Sequence, residues 1–349
     1  MRSEDSNFIS EITKKKAELI HHGKIFVPDS IKLPYPLSSS TAGPGAGKKA
    51  LALSFGGTRL KLGVTKEKDS KFSLRKNGEE YQILKSGTVF VDGVKIIPTL
   101  LHAPNQAFVN LQDSCIYNCE FCATPMLESQ KEKDPDQIVR MILKAAEDGD
   151  FQSVAITSGI VESPKETFDD ILEVVRKVKK NLGDVEVGVE PYVMKPEDIE
   201  RLHDAGATEI KINIETFDKN IFDKLCPELD YDHILKMLEH AVKVFGRGKV
   251  TTNIIIGLGE SDENVLEGLE HFAEMGVVAV IRVLRINDYN HARIVKALGH
   301  EIQNVLPQRM IRLAQEQKRI LENHNLSTGT FKTMCHACGC CDIVPFWDV

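Results

Sequence analysis

From residue 106 onward, apolar runs alternate with amphipathic helical stretches. The runs lie at 107–111, 153–158, 185–190, 209–214, 250–256 and 277–284, and the helical stretches at 136–147, 165–182, 196–205, 232–245 and 262–275. Parallel strands need a crossover between them, and a helix of this length supplies a right-handed one. The alternation therefore predicts consecutive β/α units. Six units fall short of the eight that close a barrel, so an open, partial (β/α)6 barrel in an α/β chain is expected over residues 105–305. Residues 1–104 read as an N-terminal β-rich region: a helix at 6–22, a Pro-, Ser- and Gly-rich linker at 28–49, and strand-like runs at 51–55, 60–64, 81–84, 88–91 and 94–98. Residues 306–349 add a helix at 307–324 and a C-terminal Cys-rich extension.

Charge and cysteine usage narrow the function. The net charge of −7, from 44 basic against 51 acidic residues, argues against binding nucleic acid through bulk positive charge. Apolar stretches such as 254–258 and 275–281 are too short to span a bilayer. The opening MRSEDSNFISEITKKK carries acids where an export signal needs an apolar core, so a cytoplasmic protein is expected. Seven of the eight cysteines fall in two tight groups, Cys115, Cys119 and Cys122, then Cys335, Cys338, Cys340 and Cys341. Clustering of this kind indicates metal ligation rather than a scattered disulfide framework.

The first group reads CIYNCEFC, directly after the first barrel strand. Short spacings let one loop wrap a cubane iron–sulfur cluster through three thiolates, leaving one iron open to a ligand. A structural zinc is the alternative, but it would want four ligands, and no fourth Cys or His lies in the loop.

With this CxxxCxxC triplet at the mouth of a partial barrel, the chain resembles the radical S-adenosylmethionine (SAM) enzymes. The resemblance implies a [4Fe–4S] cluster on Cys115, Cys119 and Cys122, with Phe121 beside it and SAM chelated to the open iron. It also implies reductive cleavage of SAM to a 5′-deoxyadenosyl radical. It extends over roughly residues 106–287. Ser158 and Gly159 end the second strand, where the family holds the SAM amino group. Asn213 and Glu215 end the fourth, in NIET, and Ile255, Gly257 and Glu260 lie in NIIIGLGE on the fifth. NIET and NIIIGLGE resemble lipoyl synthases and, more loosely, biotin synthases. Each residue has a plainer reading beside this one: Glu215 as a helix N-terminal acid, Asn213 as a turn residue, Gly257 and Gly259 as turn formers, Glu260 as a cap, and Ile255 as core. Arg282 and Arg285 at the sixth strand are candidates for meeting a SAM or substrate carboxylate. Arg285 is the one assigned that role here, although period-two alternation does not choose between them.

The second group, CHACGCC, concentrates four thiols and an imidazole in seven residues. An auxiliary iron–sulfur cluster, a zinc site and a redox-active thiol pair all suit it. Lipoyl and biotin synthases use a second cluster as a sacrificial sulfur donor. This chain lacks the N-terminal cysteine triplet and the C-terminal serine-rich motif of ordinary lipoyl synthases. The resemblance thus implies a divergent, archaeal-type lipoyl synthase component that inserts sulfur at an unactivated carbon. Its implied partners are a low-potential electron donor, an acyl carrier or lipoyl-domain protein, and a second radical SAM protein. Two alternatives stand beside it. One is another radical outcome (methylation, rearrangement or peptide modification) with the C-terminal cluster as an electron relay. The other is a non-catalytic zinc or iron–sulfur binding module.

Other signals are discounted. Residues 42–49 approach a phosphate-binding loop, but Lys49 stands where Ser or Thr belongs and no helix follows. Cys226 reads as a buried thiol, Lys177, Lys179 and Lys180 as a solvated helix face, and His102, His291 and His324 as isolated.

Overall fold

Ser10 accepts a hydrogen bond from the Thr13 N–H at 3.0 Å and so starts α1 (Glu11–His22), which ends at Gly23 in the left-handed conformation. This is a computed structural model that describes residues 9–39, 48–126 and 133–349. Most of the phosphate-loop-like stretch at 42–49 lies outside those residues. After α1 come β1 (Lys24–Phe26), β2 (Ser38–Ser39), β3 (Lys49–Phe55), β4 (Thr58–Thr65), β5 (Phe72–Asn77), β6 (Glu80–Lys85) and β7 (Thr88–Ile96). The strands run in the order β2-β3-β4-β1-β5-β6-β7, and β7 also pairs with β3 through Leu53 and Ile96. The β-rich region read from the sequence thus closes into a small barrel. Closure depends on β1, which pairs in parallel with both β4 and β5. Its three residues are too few for alternation to register, and β5 (FSLRKN) is half polar and exposed.

The second sheet carries the expected alternation. Strands β8 (Gln106–Asn110), β9 (Ser153–Thr157), β10 (Glu186–Glu190), β11 (Glu209–Lys211), β12 (Val250–Ile256) and β13 (Val277–Val283) lie side by side in that order. Every neighbouring pair is parallel, and β8 and β13 form the two outer strands of an open, partial barrel. Between them run α2 (Pro135–Ala145), α3 (Pro164–Leu182), α4 (Pro196–Asp204), α5 (Lys219–Leu225), α6 (Tyr231–Phe245) and α7 (Asp262–Met275). Asp134, Ser163 and Ser261 cap α2, α3 and α7, and proline opens α2, α3 and α4. Strand β11 stops at Lys211, before the expected 214. Beyond it the Thr252 hydroxyl accepts the Ile214 N–H at 3.0 Å, and Glu215 takes a positive φ of 63°. A side chain interrupts the ladder there, and it resumes as a single bridge between Glu215, in a strained conformation, and Ile254.

The C-terminal segment is not an appendage. Following α8 (His291–Leu298) and α9 (Pro307–Asn323), which packs on α1 and α7, residues 332–336, with the start of α10 (Met334–Cys338), enter the barrel lumen where the strands begin. Glu209, at the start of β11, accepts the Lys332 and Thr333 N–H groups at 2.9 and 3.0 Å. Ser153 donates to the Lys332 carbonyl at 2.8 Å, and Gln106 to that of Met334 at 3.1 Å. Gly188 on β10 makes room, since a Cβ there would stand 2.1 Å from Thr333 Oγ1. On the outer side the N-terminal unit holds the same segment. Lys16, only 1% exposed, donates to the Gly339 carbonyl and to Asp348, and the Lys61 N–H donates to the Cys340 carbonyl.

Candidate functional site

At the carboxyl ends of β9 to β11, where such a sheet places its chemistry, lies a cavity of about 190 Å³. It is lined by Cys115 and Cys119, by Ser158, Asn213 and Glu215, and by Glu190. The cysteine loop has no helix or strand of its own beyond a turn in which the Cys122 N–H donates to the Cys119 carbonyl at 3.0 Å. It is tied to the next strand end by the Ile116 N–H, which donates to the Ile160 carbonyl at 2.6 Å. The Ile160 N–H in turn points at Cys115 Sγ from 3.5 Å. Burial pushes the Cys115 thiol up and the Cys122 thiol up to about 11, so both release protons on ligation. Cys226, 1% exposed as expected of a buried thiol, lies in hydrogen-bonding contact with Cys119.

Among the described residues, no three His, Cys, Asp or Glu side chains converge as ligands of one ion must. A cubane is held at separate corners, one iron per thiolate, and does not require such convergence. The donor set of the loop therefore fits a cluster. A second observation fits a polar ligand beside it: the buried carbonyl oxygens of the Asn213 and Asn253 side chains have no hydrogen-bond partner. Their amide groups are engaged, Asn213 donating to Glu190 at 2.6 Å and Asn253 to Glu215 at 3.3 Å.

The two carboxyls of the cavity are driven apart. Burial raises Glu190, but the Lys211 ammonium at 3.2 Å, the Asn213 amide and Arg282 outweigh it and hold the carboxyl below its usual value. Glu215 is pushed up to about 7 by burial, with Glu190 adding to it against the weaker pull of Lys211. A carboxyl whose folded pKa is raised adds stability below its unfolded value of 4.5, and that stability is lost as pH rises through about 7. The Glu215→Gln variant should therefore lose less stability than the parent between pH 4.5 and 7.5 in denaturant titrations. Superimposable profiles would show that Glu215 stays ionised.

Several expected cofactor contacts fall elsewhere. Phe121 is buried in the core, and its carbonyl accepts from Asn290 at 2.9 Å. Gly159 does meet backbone closely, but that backbone is Ser114, whose oxygen would lie 1.9 Å from an added Cβ. Ile255 is buried and its N–H donates to the Glu215 carbonyl at 2.7 Å, so it supports the cavity from behind. Gly257 packs against Val305. The Glu260 carboxylate is consumed by the Gly257 and Leu258 N–H groups and by Arg309, at 2.7–2.8 Å, while Ser261 caps α7. Arg285 turns away from the cavity: its guanidinium donates to the Ile20 and Cys341 carbonyls at 3.3 and 2.9 Å. Arg282 is the arginine that faces the lumen. Glu190 and Lys211 belong to the site without a motif, and their only signal in the sequence is a charged residue closing a barrel strand.

The C-terminal thiols divide. Cys335 Sγ lies in the lumen, 2.7 Å from Arg282 Nη2 and 4.0 Å from Lys211 Nζ. Lys211, 2% exposed, carries the ion pair to Glu190 on the cavity wall, and Arg282 pairs with Asp342 at 2.7 Å. Cys338 and Cys340 are buried together near Lys61, and Cys341 packs beside them.

The Radical SAM superfamily model matches residues 109–272. "Biotin synthase 2" of Corynebacterium diphtheriae is 28% identical over 215 residues, covering 57% of this chain and 64% of that protein. The lipoyl synthase of Buchnera aphidicola is 22% identical over 242 residues, covering 68% and 70%. The match to the biotin synthase thus spans less than two thirds of that relative's length. Among solved structures, the FeFe-hydrogenase maturase HydG from Carboxydothermus hydrogenoformans superposes with a TM-score of 0.53 at 14% identity, over 63% of this chain and 52% of that one. Methylornithine synthase (PylB) superposes at 0.50 and 18% identity, over 62% and 63%. The six parallel strands, the three-thiol loop at their carboxyl ends and the sequence match agree: residues 109–272 match the radical SAM superfamily and carry its fold.

Proposed function

We propose that Cys115, Cys119 and Cys122 hold a [4Fe–4S] cluster and that the chain uses it to cleave SAM, activating a C–H bond of an acyl chain for sulfur insertion. The cluster supplies the electron for SAM cleavage when bound. This chain's own residues do the rest. Ser158, Asn213 and Glu215 offer the polar contacts of the cavity, and Pro191, Leu229, Ile234 and Met237 its apolar wall, suited to a hydrocarbon substrate. In this reading Cys335, Cys338 and either Cys340 or Cys341 hold an auxiliary cluster that is the sulfur source. A low-potential electron donor, a lipoyl-domain or acyl carrier protein and a second radical SAM protein are the proposed partners.

One observation carries the sulfur-insertion reading. Cys335 lies inside the lumen, one ion-paired side chain (Lys211) away from the cavity wall at Glu190. A sulfur source has to approach the carbon made reactive, and Cys335 brings a thiol of the second group into the lumen. The likeness to relatives named biotin synthase and lipoyl synthase adds support. Anaerobic reconstitution should give about eight irons per chain, four for each cubane. Turnover with an octanoylated lipoyl-domain protein should give 5′-deoxyadenosine and a product that has gained sulfur. One cluster plus zinc would overturn the sulfur source. A methyl gain or a loss of hydrogen alone would overturn sulfur insertion, and a colourless, iron-free protein would overturn the whole reading.

A further inference from the structure

We propose that Arg293 on α8 is a positioning residue for the cluster of Cys115, Cys119 and Cys122. It holds the ligand loop in its cluster-ready conformation and sets the cluster's reduction potential by its charge. The proposal rests only on the reading of those three cysteines as cluster ligands.

The loop from 118 to 122 makes its main-chain bonds largely to other elements. The Arg293 guanidinium reaches across it: Nη2 donates to the Asn118 carbonyl at 3.0 Å, to Asn118 Oδ1 at 2.6 Å and to the Cys119 carbonyl at 3.2 Å. From the same side chain, Nη1 donates to the Cys122 carbonyl at 3.2 Å and Nε to Glu120 Oε2 at 2.9 Å. Asn290, the residue before α8, is fully buried and donates to the Phe121 carbonyl at 2.9 Å. The carbonyls of 118, 119, 121 and 122, two of them on ligand residues, are therefore all fixed from α8. On the other side, Glu228 accepts the Asn118 N–H at 2.7 Å, and the Leu225 carbonyl accepts the Glu120 N–H at 2.8 Å.

Only a planar fork of five donors spans these acceptors at once, and a lysine ammonium does not. Groups that orient ligands without touching the metal typically govern its affinity by ten- to hundredfold. The guanidinium stays charged at every working pH, so it favours the more negative, reduced form of a nearby cluster. Glu120 offsets part of that charge.

The test is anaerobic reconstitution of the full chain as parent, Arg293→Ala, Arg293→Lys and Glu120→Gln, with two readouts. One is the rate of iron loss to a chelator. The other is the midpoint potential of the paramagnetic signal that SAM perturbs. Arg293→Ala should lose the cluster roughly ten- to hundredfold faster and shift the midpoint to a more negative value. Arg293→Lys should keep the midpoint near the parent's yet lose iron as fast as the alanine variant. Glu120→Gln keeps every carbonyl contact and should shift the midpoint positive, so it tests the charge effect even if Arg293→Ala fails to fold. Unchanged iron loss in Arg293→Ala, or an unmoved midpoint in Glu120→Gln, would overturn the proposal. A parent that takes up no SAM-responsive cluster would instead overturn the cluster reading beneath it.

Discussion

Replacing Cys119 with alanine should lower 5′-deoxyadenosine formation by at least about three orders of magnitude, the loss expected when about 4 kcal/mol of transition-state stabilisation disappears. The thiol lines the cavity and is one of only three cysteines in the loop. Without it one iron corner has no ligand in that loop. The fold should survive, because Cys119 is only partly buried and its carbonyl still meets Arg293. Iron should fall from about eight to about four per chain if the C-terminal thiols hold a cluster of their own. Cys226, resting against Cys119, is the neighbour able to rescue some binding. The double variant Cys119→Ala, Cys226→Ala should therefore remove whatever residual iron the single variant keeps at this site. Parent-level SAM cleavage by Cys119→Ala would end the account of a three-thiolate cluster.

The second large effect is expected from one added methyl group. In Gly159→Ala the new Cβ would lie 1.9 Å from the Ser114 oxygen, 2.9 Å from the Ser114 carbonyl carbon and 3.2 Å from the Gln112 oxygen. All three atoms are main chain, so no rotamer change relieves the clash. The chain has to move at 112–114, immediately before Cys115, or at 158–160, which bonds to Cys115 and Ile116. Overpacking of this kind costs about 1–3 kcal/mol and sometimes more. A displacement near 1 Å at the reacting centre costs about a hundredfold in rate. Thermal unfolding and SAM cleavage should both fall. Gly149→Ala, where an added Cβ meets nothing within 4 Å, should stay within about 0.5 kcal/mol of the parent. Equal behaviour of the two variants would mean that Gly159 and Ser114 are not in contact.

The second sheet is legible in the chain because its buried strands give continuous apolar runs and amphipathic helices separate them. The N-terminal barrel is not. Its closure relies on the three-residue β1 and on pairing between β3 and β7, separated by β4 to β6, and no local pattern reports such contacts. At the site, local spacing singles out the cysteine loop, and strand-end position brings Ser158, Asn213 and Glu215 to the cavity. Glu260 and Arg285 have partners that no motif announces, because a motif gives a residue's place along the chain and not its contacts. Arg309 and the Cys341 carbonyl, which capture them, are about 50 residues away in sequence. The same limit hid the lumen course of residues 332–336, for CHACGCC announces metal chemistry without announcing where it sits.

That course through the lumen has a consequence for biosynthesis. While a ribosome is still making residues beyond 328, the six-stranded sheet can assemble, but Glu209 and Arg282 line an unplugged lumen without the Lys332, Thr333 and Asp342 groups that later meet them. Water has to solvate those charges until the segment arrives.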